Sequence, residues 1–489
     1  MNRLKKFGAF AVIIIINVMV FGIIPLNVLL IWKNIPQWIM IFASMVAIAS
    51  VWVIAKKFLS KSTKTIAVIT TSVFTIACVL LAYACPYWNS DVFKSNRPIH
   101  YYENSDLTQE EALDNLDEVM DSLRKYHISF ADGLSPVVQA KYEEVRADFK
   151  SRDTIKAIVF IRGIRSILHE INDAHTSFDS WDGVFMSDGP EMEAQGYSIY
   201  SVNGMTEDQL EELVEPYYSY ETPRHISVNM ESLFYLDLCG IEAPYEVIWK
   251  DKNGIEESCT YNREDFITSE EYYDLCDIYL PSDDNNDYVY YEIDEERSLA
   301  VLTLRHCWIS DHYRDVLREM FTEIKEHNIE NLAIDLRGNG GGDTYVVNEL
   351  FRYLPIDTYY QGDNFRTIRW NYLTFDQSGE TKNKRNRELE FDGELYVLTD
   401  EESFSSAMRF AEMIVDNGRG EVIGESPAES CNSCGEITQF YFEDIGMWLS
   451  VSTARYTRID PSRGDYIEPD YPCAGEDAIQ TLYDIVGDN

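Results

Sequence analysis

Basic residues are scarce in this sequence. Lysine and arginine total 41 against 83 aspartate and glutamate residues, which leaves a formal net charge of -42 at pH 7. A surface that binds nucleic acid presents positive charge to the phosphates, so this composition excludes nucleic acid as the main partner. Anionic lipid headgroups would also repel the chain, and any attachment to a membrane must therefore depend on apolar segments.

Signals for metals and cofactors are also missing. Seven of the nine cysteines follow the apolar N-terminal part, and an odd number cannot all pair within a monomer. Cys431 and Cys434 have CxxC spacing, but no second pair or nearby histidine completes a zinc site, which favours a local disulfide or free thiols. The glycines at 338–342 precede no Lys-Ser or Lys-Thr and form no dinucleotide fingerprint. We predict neither a metal nor an organic cofactor.

Charge is absent from three N-terminal stretches, Phe7–Trp32, Ile35–Ala55 and Thr65–Trp88. Each has about the 20 residues that a helix needs to cross hydrocarbon, which predicts a three-helix transmembrane anchor at residues 1–90. A cleavable signal peptide is the alternative for the first stretch, but its apolar run is long and no small-residue cleavage site stands out. A transporter or channel is disfavoured because no charged residue within the stretches marks a path.

The orientation of this anchor follows from its flanking basic residues. They precede the first stretch and follow the second, which predicts a cytoplasmic N-terminus and an extracytoplasmic C-terminal region. These residues are Arg3, Lys5, Lys6, Lys56, Lys57, Lys61 and Lys64.

Beyond the anchor, the hydrophobic pattern predicts three further regions. Residues 91–180 show helical spacing, and residues 181–295 are mixed, with strand patterns at Tyr197–Val202 and Tyr245–Trp249. From Ser298 onward, buried strands alternate with helices, which predicts an α/β core at 296–489. The predicted core strands are Ala300–Leu304, Leu332–Leu336, Leu395–Leu398 and Val422–Ile423, and the predicted helices are His312–His327, Tyr345–Tyr353 and Ser406–Asp416.

Two segments of this core could carry chemistry. A predicted strand runs into the glycines at 338–342, where backbone amides can turn towards an anion, although a purely structural turn is the alternative. Ser405 follows another strand and begins a helix. A serine there can act as a nucleophile, or it can cap the helix.

Together, these segments resemble peptidase family S41, the tail-specific or C-terminal processing proteases. The resemblance rests on Asp335-Leu-Arg-Gly-Asn-Gly-Gly-Gly342, Ser403-Phe-Ser405-Ser-Ala, Asp416-Asn-Gly-Arg and Val422-Ile-Gly-Glu425. It implies a crotonase/ClpP-like α/β core, a protein or peptide substrate, and Ser405 as nucleophile. It also implies that the amide of Ser406 and the turn near Gly341 stabilise the oxyanion.

The general base differs from that of the best-known branch of this family. The position that matches its lysine is Ser430, and no lysine follows Lys384. A second branch, similar to the tricorn protease core and the interphotoreceptor retinoid-binding protein, uses histidine within an Asp-x-His-Thr element. Asp173-Ala-His175-Thr matches that element, so the resemblance implies His175 as base, supported by Glu468, which otherwise caps a turn. His127 and His306 are alternative bases.

These observations predict a membrane-anchored, extracytoplasmic serine endopeptidase that works through an acyl-enzyme. The missing lysine motivates the alternative of a catalytically inactive, membrane-tethered binding or sensing protein on the same scaffold. The family's PDZ module is not recognisable in residues 181–295, so recognition of a free substrate C-terminus is not expected.

Overall fold

The computed structural model describes residues 11–13, 15, 37–59, 61–84, 102, 105–131, 133–180, 183–279, 288–361, 365–369, 373–377 and 379–487. Near the N-terminus, helices α1 (Gln37–Phe58) and α2 (Lys61–Ala84) pack side by side. Val51 and Ala55 are buried in this pair, with Val68 against them.

The predicted transmembrane anchor is overturned. No helix in the described part of the chain has the combined length and apolar character that crossing a bilayer requires. Lys56 and Lys57 lie in the last turn of α1, and α2 begins at Lys61, so lysines expected in a loop are part of the helices. The first predicted span, Phe7–Trp32, lies outside the described residues except for 11–13 and 15. The extracytoplasmic placement stays an untested prediction.

A helical subdomain follows, as the sequence pattern predicts. A capping box begins its first helix, in which Thr108 and Glu111 each accept a hydrogen bond from the other's backbone N–H. The apolar stripe of that helix, including Leu116, Met120 and Leu123, is fully buried. The elements are β1 (Leu107–Thr108), α3 (Gln109–Tyr126), α4 (Pro136–Lys150), β2 (Thr154–Ile155) and α5 (Ala157–His169).

The next region forms two small antiparallel sheets. Strands β5, β6 and β7 make a three-stranded sheet, and β4 pairs with β8. Both predicted strand patterns are found in this region. Its elements are β3 (Ser177–Asp179), β4 (Val184–Met186), α6 (Gly189–Ala194), β5 (Tyr197–Val202), α7 (Glu207–Val214), α8 (Leu233–Cys239), β6 (Tyr245–Asp251), β7 (Glu256–Tyr261), β8 (Phe266–Thr268) and α9 (Ser269–Tyr279).

The α/β core is built on a six-stranded sheet in the order β20-β17-β16-β11-β10-β9. Its strands are parallel except β9, which pairs antiparallel with β10. Every residue of β10 is buried, as expected for a parallel strand covered on both faces. The sheet comprises β9 (Val289–Asp294), β10 (Leu299–Leu304), β11 (Asn331–Asp335), β16 (Glu394–Thr399), β17 (Glu421–Gly424) and β20 (Tyr471–Pro472), and its helices are α10 (Asp311–His327), α11 (Val346–Phe351), α12 (Ser406–Asp416) and α13 (Ala478–Gly487).

A second sheet joins the core to the helical subdomain. Its order is β14-β13-β19-β18, and β3 also pairs with β19. The register sets Ser177 opposite Ser450, so the chain just after residue 175 is held against the core. The additional strands are β12 (Thr358–Tyr360), β13 (Phe365–Arg369), β14 (Leu373–Gln377), β15 (Glu380–Lys382), β18 (Cys434–Phe442) and β19 (Met447–Arg455).

The seven cysteines beyond the N-terminal helices are all free thiols in the structure. Cys431 and Cys434 are buried, and burial raises the pKa of the Cys434 thiol to about 12. Of the two possibilities left open for this pair, the structure has the free thiols.

Candidate active site

Ser405 lies at the carboxyl end of β16, immediately before α12. Its backbone has φ 55° and ψ -118°, a left-handed conformation that a residue with a side chain rarely adopts. Its side chain makes no capping hydrogen bond to the helix. The serine hydroxyl is therefore directed to another partner, and the helix-cap alternative does not describe it.

The glycine-rich turn after β11 holds the segment that carries Ser405. Ser403 Oγ donates to the Leu336 carbonyl at 2.9 Å, and the Phe404 N–H donates to the Asn339 carbonyl at 2.9 Å. Gly341 has φ +99°, and a Cβ at this position would lie 2.7 Å from Ser405 Cβ. Only glycine allows the two segments to approach so closely.

His175 is the partner of the Ser405 hydroxyl. Its Nε2 lies 2.9 Å from Ser405 Oγ, although the two residues are 230 positions apart. The ladder between β3 and β19 holds the histidine segment in place, and the N–H of Ser452 on β19 donates to Thr176 Oγ1 at 3.2 Å. The structure thus brings together the two residues that the resemblance pairs.

Asp173 anchors the loop that carries His175. Its Oδ1 accepts the His175 backbone N–H at 3.0 Å, and its Oδ2 accepts the Thr176 hydroxyl at 2.5 Å. His127 Nε2 also lies 2.9 Å from Asp173 Oδ2. Burial opposes ionisation of this carboxyl, but the hydrogen bond from His127 and the charges of His127 and His175 hold its pKa well below the usual range.

The role of His127 follows from its two ring nitrogens. Nδ1 accepts the Ser129 N–H at 3.1 Å, so the proton of a neutral ring is on Nε2, which donates to Asp173. The His127 side chain is fully buried. It therefore positions the loop and is not available as a base for Ser405.

Glu429 is the carboxylate beside this pair, and its side chain is only 1% exposed. Its Oε2 accepts the Ser405 backbone N–H, and its Oε1 lies 3.8 Å from His175 Nδ1. That nitrogen is buried and has no hydrogen-bond partner in the described part of the chain. Burial raises the pKa of Glu429, against the opposing effect of the His175 charge.

Glu468 and His306 are not brought to the site. Both side chains are exposed, and the residue that turns inward next to Glu468 is Ile467. The position that the resemblance assigns to Glu468 is taken by Glu429. Sequence reasoning missed Glu429. The signal that could have found it is its position directly before Ser430, which matches the family lysine.

The two predicted oxyanion donors differ in availability. The Gly341 N–H donates to Asn339 Oδ1 at 2.9 Å, so it is already engaged. The Ser406 N–H has no acceptor among the described residues, and the same is true of the Gly342 N–H. Gly342 lines the cavity at Ser405, whereas Gly341 does not. The amides of Ser406 and Gly342 are therefore available to an oxyanion, and that of Gly341 is not.

A cavity of about 510 Å³ opens at Ser405. Phe404 separates two histidine rings on one side, with centroid distances of 4.6 Å to His175 and 4.6 Å to His225. Burial lowers the pKa of His225 to about 4, with a further contribution from the His175 charge. Other lining residues come from the segment after the glycine-rich turn, from α12, from Ser433 and the start of β18, and from the residue after β19. They are Asp343, Thr344, Tyr345, Arg409, Ser433, Cys434, Gly435, Glu436, Ile437 and Tyr456.

Metal ligation finds no support within the described residues. No group of three or more histidine, cysteine, aspartate or glutamate side chains there could hold an ion. The groups beside the Ser405 hydroxyl include the His175 imidazole, the Glu429 carboxyl and the free amides of Ser406 and Gly342.

Comparison with known families and structures agrees with this geometry. The model of peptidase family S41 matches residues 298–473, which contain Ser405, Glu429 and the glycine-rich turn. A comparison with curated proteins gave no significant match. The family match supports a peptidase of serine type.

Solved structures resemble the chain over most of its length. Mature CPAF is 12% identical with a TM-score of 0.50, covering 78% of this chain and 96% of that one. Mature CPAF complexed with lactacystin is 11% identical with a TM-score of 0.51, covering 78% and 97%. A photosystem II D1 C-terminal processing protease is 15% identical with a TM-score of 0.42, covering 78% and 98%. The two CPAF structures show a shared fold.

Proposed function

We propose that this protein is a serine endopeptidase that hydrolyses peptide bonds through an acyl-enzyme, with Ser405 as nucleophile, His175 as general base and Glu429 as supporting carboxylate. The observation that carries the proposal is the distance of 2.9 Å between His175 Nε2 and Ser405 Oγ. A hydrogen bond of this length lets a neutral imidazole take the hydroxyl proton as the serine attacks.

The first half of the reaction forms the acyl-enzyme. Ser405 Oγ attacks the carbon of the scissile carbonyl, and its proton passes to His175 Nε2. The carbonyl oxygen becomes an oxyanion, for which the N–H groups of Ser406 and Gly342 are the available donors. When the carbon–nitrogen bond breaks, His175 returns the proton to the leaving amine, and the substrate acyl group stays on Ser405.

Water completes the reaction by the same proton transfers in reverse. His175 takes a proton from the water, whose oxygen attacks the ester carbon. The ester bond then breaks, and the proton returns to Ser405 Oγ. Each cycle consumes one water molecule and restores the enzyme.

Glu429 assists by its charge. Each time His175 accepts a proton the ring becomes positive, and the carboxylate 3.8 Å from Nδ1 stabilises that state. At this distance the contact is electrostatic; a shift of about 1 Å would turn it into a hydrogen bond that fixes the histidine tautomer.

The alternative of an inactive binding or sensing protein rests on the absent lysine alone. That alternative predicts a histidine beyond hydrogen-bond reach of the serine, whereas the two atoms lie 2.9 Å apart. The close contact and the free amides of Ser406 and Gly342 favour the peptidase.

The test uses the full-length chain, an unfolded protein substrate and a fluorophosphonate that labels activated serines. We expect the wild type to be labelled and to cleave the substrate, and both signals to disappear in Ser405→Ala. Ser462→Ala, at an exposed serine, is the matched control and should behave as wild type. Labelling and cleavage that persist in Ser405→Ala would refute the assignment.

A further inference from the structure

A buried arginine lines the cavity next to the nucleophile. Arg409 lies in the first turn of α12, and its backbone N–H donates to the Ser405 carbonyl at 2.9 Å. The two residues are therefore one helical turn apart and on the same side of the helix. Arg409 is only 4% exposed, yet it forms part of the cavity wall.

The guanidinium group of Arg409 is only partly satisfied. Its Nη1 donates to the Glu412 carboxylate and, at 2.8 Å, to the Cys431 carbonyl. The guanidinium carbon lies 4.6 Å from the centre of the Tyr456 ring. Its Nη2 is buried and has no hydrogen-bond acceptor in the described part of the chain. An arginine N–H group left without an acceptor in a buried position costs free energy, which a ligand with an acceptor can recover.

We propose that Arg409 determines substrate specificity, and that the cavity receives an uncharged side chain with a carbonyl acceptor, glutamine or asparagine, from the residue whose carbonyl Ser405 attacks. This inference rests on the proposed peptidase function and specifies its substrate class. The side-chain carbonyl of the substrate accepts from Arg409 Nη2, and its amide group faces the polar rim.

The charges around the cavity favour an uncharged amide over a carboxylate. The guanidinium of Arg409 already contacts the Glu412 carboxyl, which reduces the positive charge that it presents to an anion. Three acidic residues line the same cavity, Asp343, Glu429 and Glu436. A substrate glutamate would enter next to these like charges at a cost, whereas glutamine keeps the carbonyl and avoids the repulsion.

Apolar and basic side chains fit less well for a different reason. An apolar side chain that fills the cavity offers no acceptor and leaves Arg409 Nη2 unpaired. A site built to hydrogen-bond a polar group rejects analogues that lack it, because its own buried group is then left unpaired. A substrate lysine presents only donors and a positive charge to the guanidinium.

The experiment measures kcat/KM of the full-length chain on internally quenched decapeptides that are identical except for one residue. That residue is glutamine, glutamate, norleucine or lysine, and mass spectrometry identifies the bond cleaved after it. We expect the glutamine peptide to be cleaved at least about tenfold faster than each of the other three. A preference for norleucine, glutamate or lysine would overturn the inference.

A double variant identifies the residue responsible. Arg409→Met with Glu412→Gln removes both charges of the buried pair, so no uncompensated carboxylate remains. We expect the ratio of glutamine to norleucine cleavage to fall to about one, and to stay at the wild-type value in Arg387→Met, which removes an exposed arginine. An unchanged ratio in the double variant would refute the role of Arg409; if that variant does not fold, the wild-type ratios decide.

Binding to Ser405→Ala separates this inference from the proposed function. The same four peptides are titrated against this variant, which keeps the cavity but lacks the nucleophile. Tighter binding of the glutamine peptide by about tenfold supports the inference even if the wild type cleaves nothing, whereas equal binding refutes it. Cleavage with the wrong preference refutes the specificity alone, and absence of cleavage refutes the peptidase function alone.

Discussion

Glu429 accepts a hydrogen bond from the backbone N–H of Ser405, the residue whose hydroxyl contacts His175. One buried carboxylate thus contacts the main chain of Ser405 and approaches His175 Nδ1 at 3.8 Å. The same contact restrains the strained backbone of Ser405 and places a carboxylate beside the imidazole. Glu429 is thereby linked to both Ser405 and His175.

Replacing Glu429 with glutamine should lower kcat by about 100-fold, because the imidazolium loses its nearby negative charge while the acceptor for the Ser405 N–H is kept. Steady-state kinetics on a cleaved peptide measure the effect. Glu468→Gln is the matched control, since that side chain is exposed and does not line the cavity at Ser405. The opposite result, a loss confined to Glu468→Gln, would return the supporting role to the residue that the resemblance implies.

Replacing Asp173 with alanine should destabilise the protein by about 3 kcal/mol, because the His175 N–H, the Thr176 hydroxyl and His127 Nε2 all lose their acceptor. Denaturant unfolding measures the change. Asp114→Ala, at an exposed carboxylate of the same subdomain, should stay within about 0.5 kcal/mol of the wild type. Equal stabilities for the two variants would show that Asp173 does not hold the loop.

Two substitutions of Ser405, by glycine and by alanine, should both abolish activity but should differ in stability. Ser405 has φ 55°, which glycine adopts without strain, whereas alanine, like serine, has a Cβ that makes this conformation unfavourable. Ser405→Gly should therefore be more stable than Ser405→Ala by about 1 kcal/mol. Glycine relieves the backbone strain, and part of this gain is offset because glycine increases the conformational entropy of the unfolded chain. Paired unfolding curves test this, and an alanine variant that is the more stable of the two would argue against strain at the nucleophile.

The stability of the folded protein should depend on pH through Glu221. Burial and the charges of Asp173 and Glu429 raise the pKa of this carboxyl from 4.5 to about 9. Between those values the folded chain keeps a proton that the unfolded chain loses, so the contribution of Glu221 to stability declines as pH rises through that window. Glu221→Gln should show a shallower decline.

Unfolding midpoints at several pH values from 5 to 9 measure this difference. The matched control is Glu212→Gln, which changes an exposed carboxylate. The stability of this variant should decline with rising pH as much as that of the wild type. A Glu221→Gln profile that runs parallel to the wild type would mean that the Glu221 carboxyl titrates normally.

Local sequence patterns predict much of the core. The helix Ser406–Asp416 is found with the predicted bounds, and strand Glu394–Thr399 extends the predicted one by a residue at each end. Such elements can be predicted because burial on a parallel sheet and apolar spacing on a helix appear directly in neighbouring residues. The N-terminal stretches show the limit of this reasoning, since their apolar composition predicts a transmembrane anchor that no helix in the described part of the chain supports.

The sequence by itself determined the order of the core elements, the glycine-rich turn and the serine at the start of a helix. Only the tertiary structure decided which carboxylate joins that serine, Glu429 rather than Glu468, and which glycine amide stays free, that of Gly342 rather than Gly341. Spacing along the chain encodes local backbone conformation, but the choice among distant partners depends on how sheets and loops pack. His175 reaches Ser405 across 230 residues because β3 pairs with β19, a contact between segments too far apart for local sequence patterns to predict.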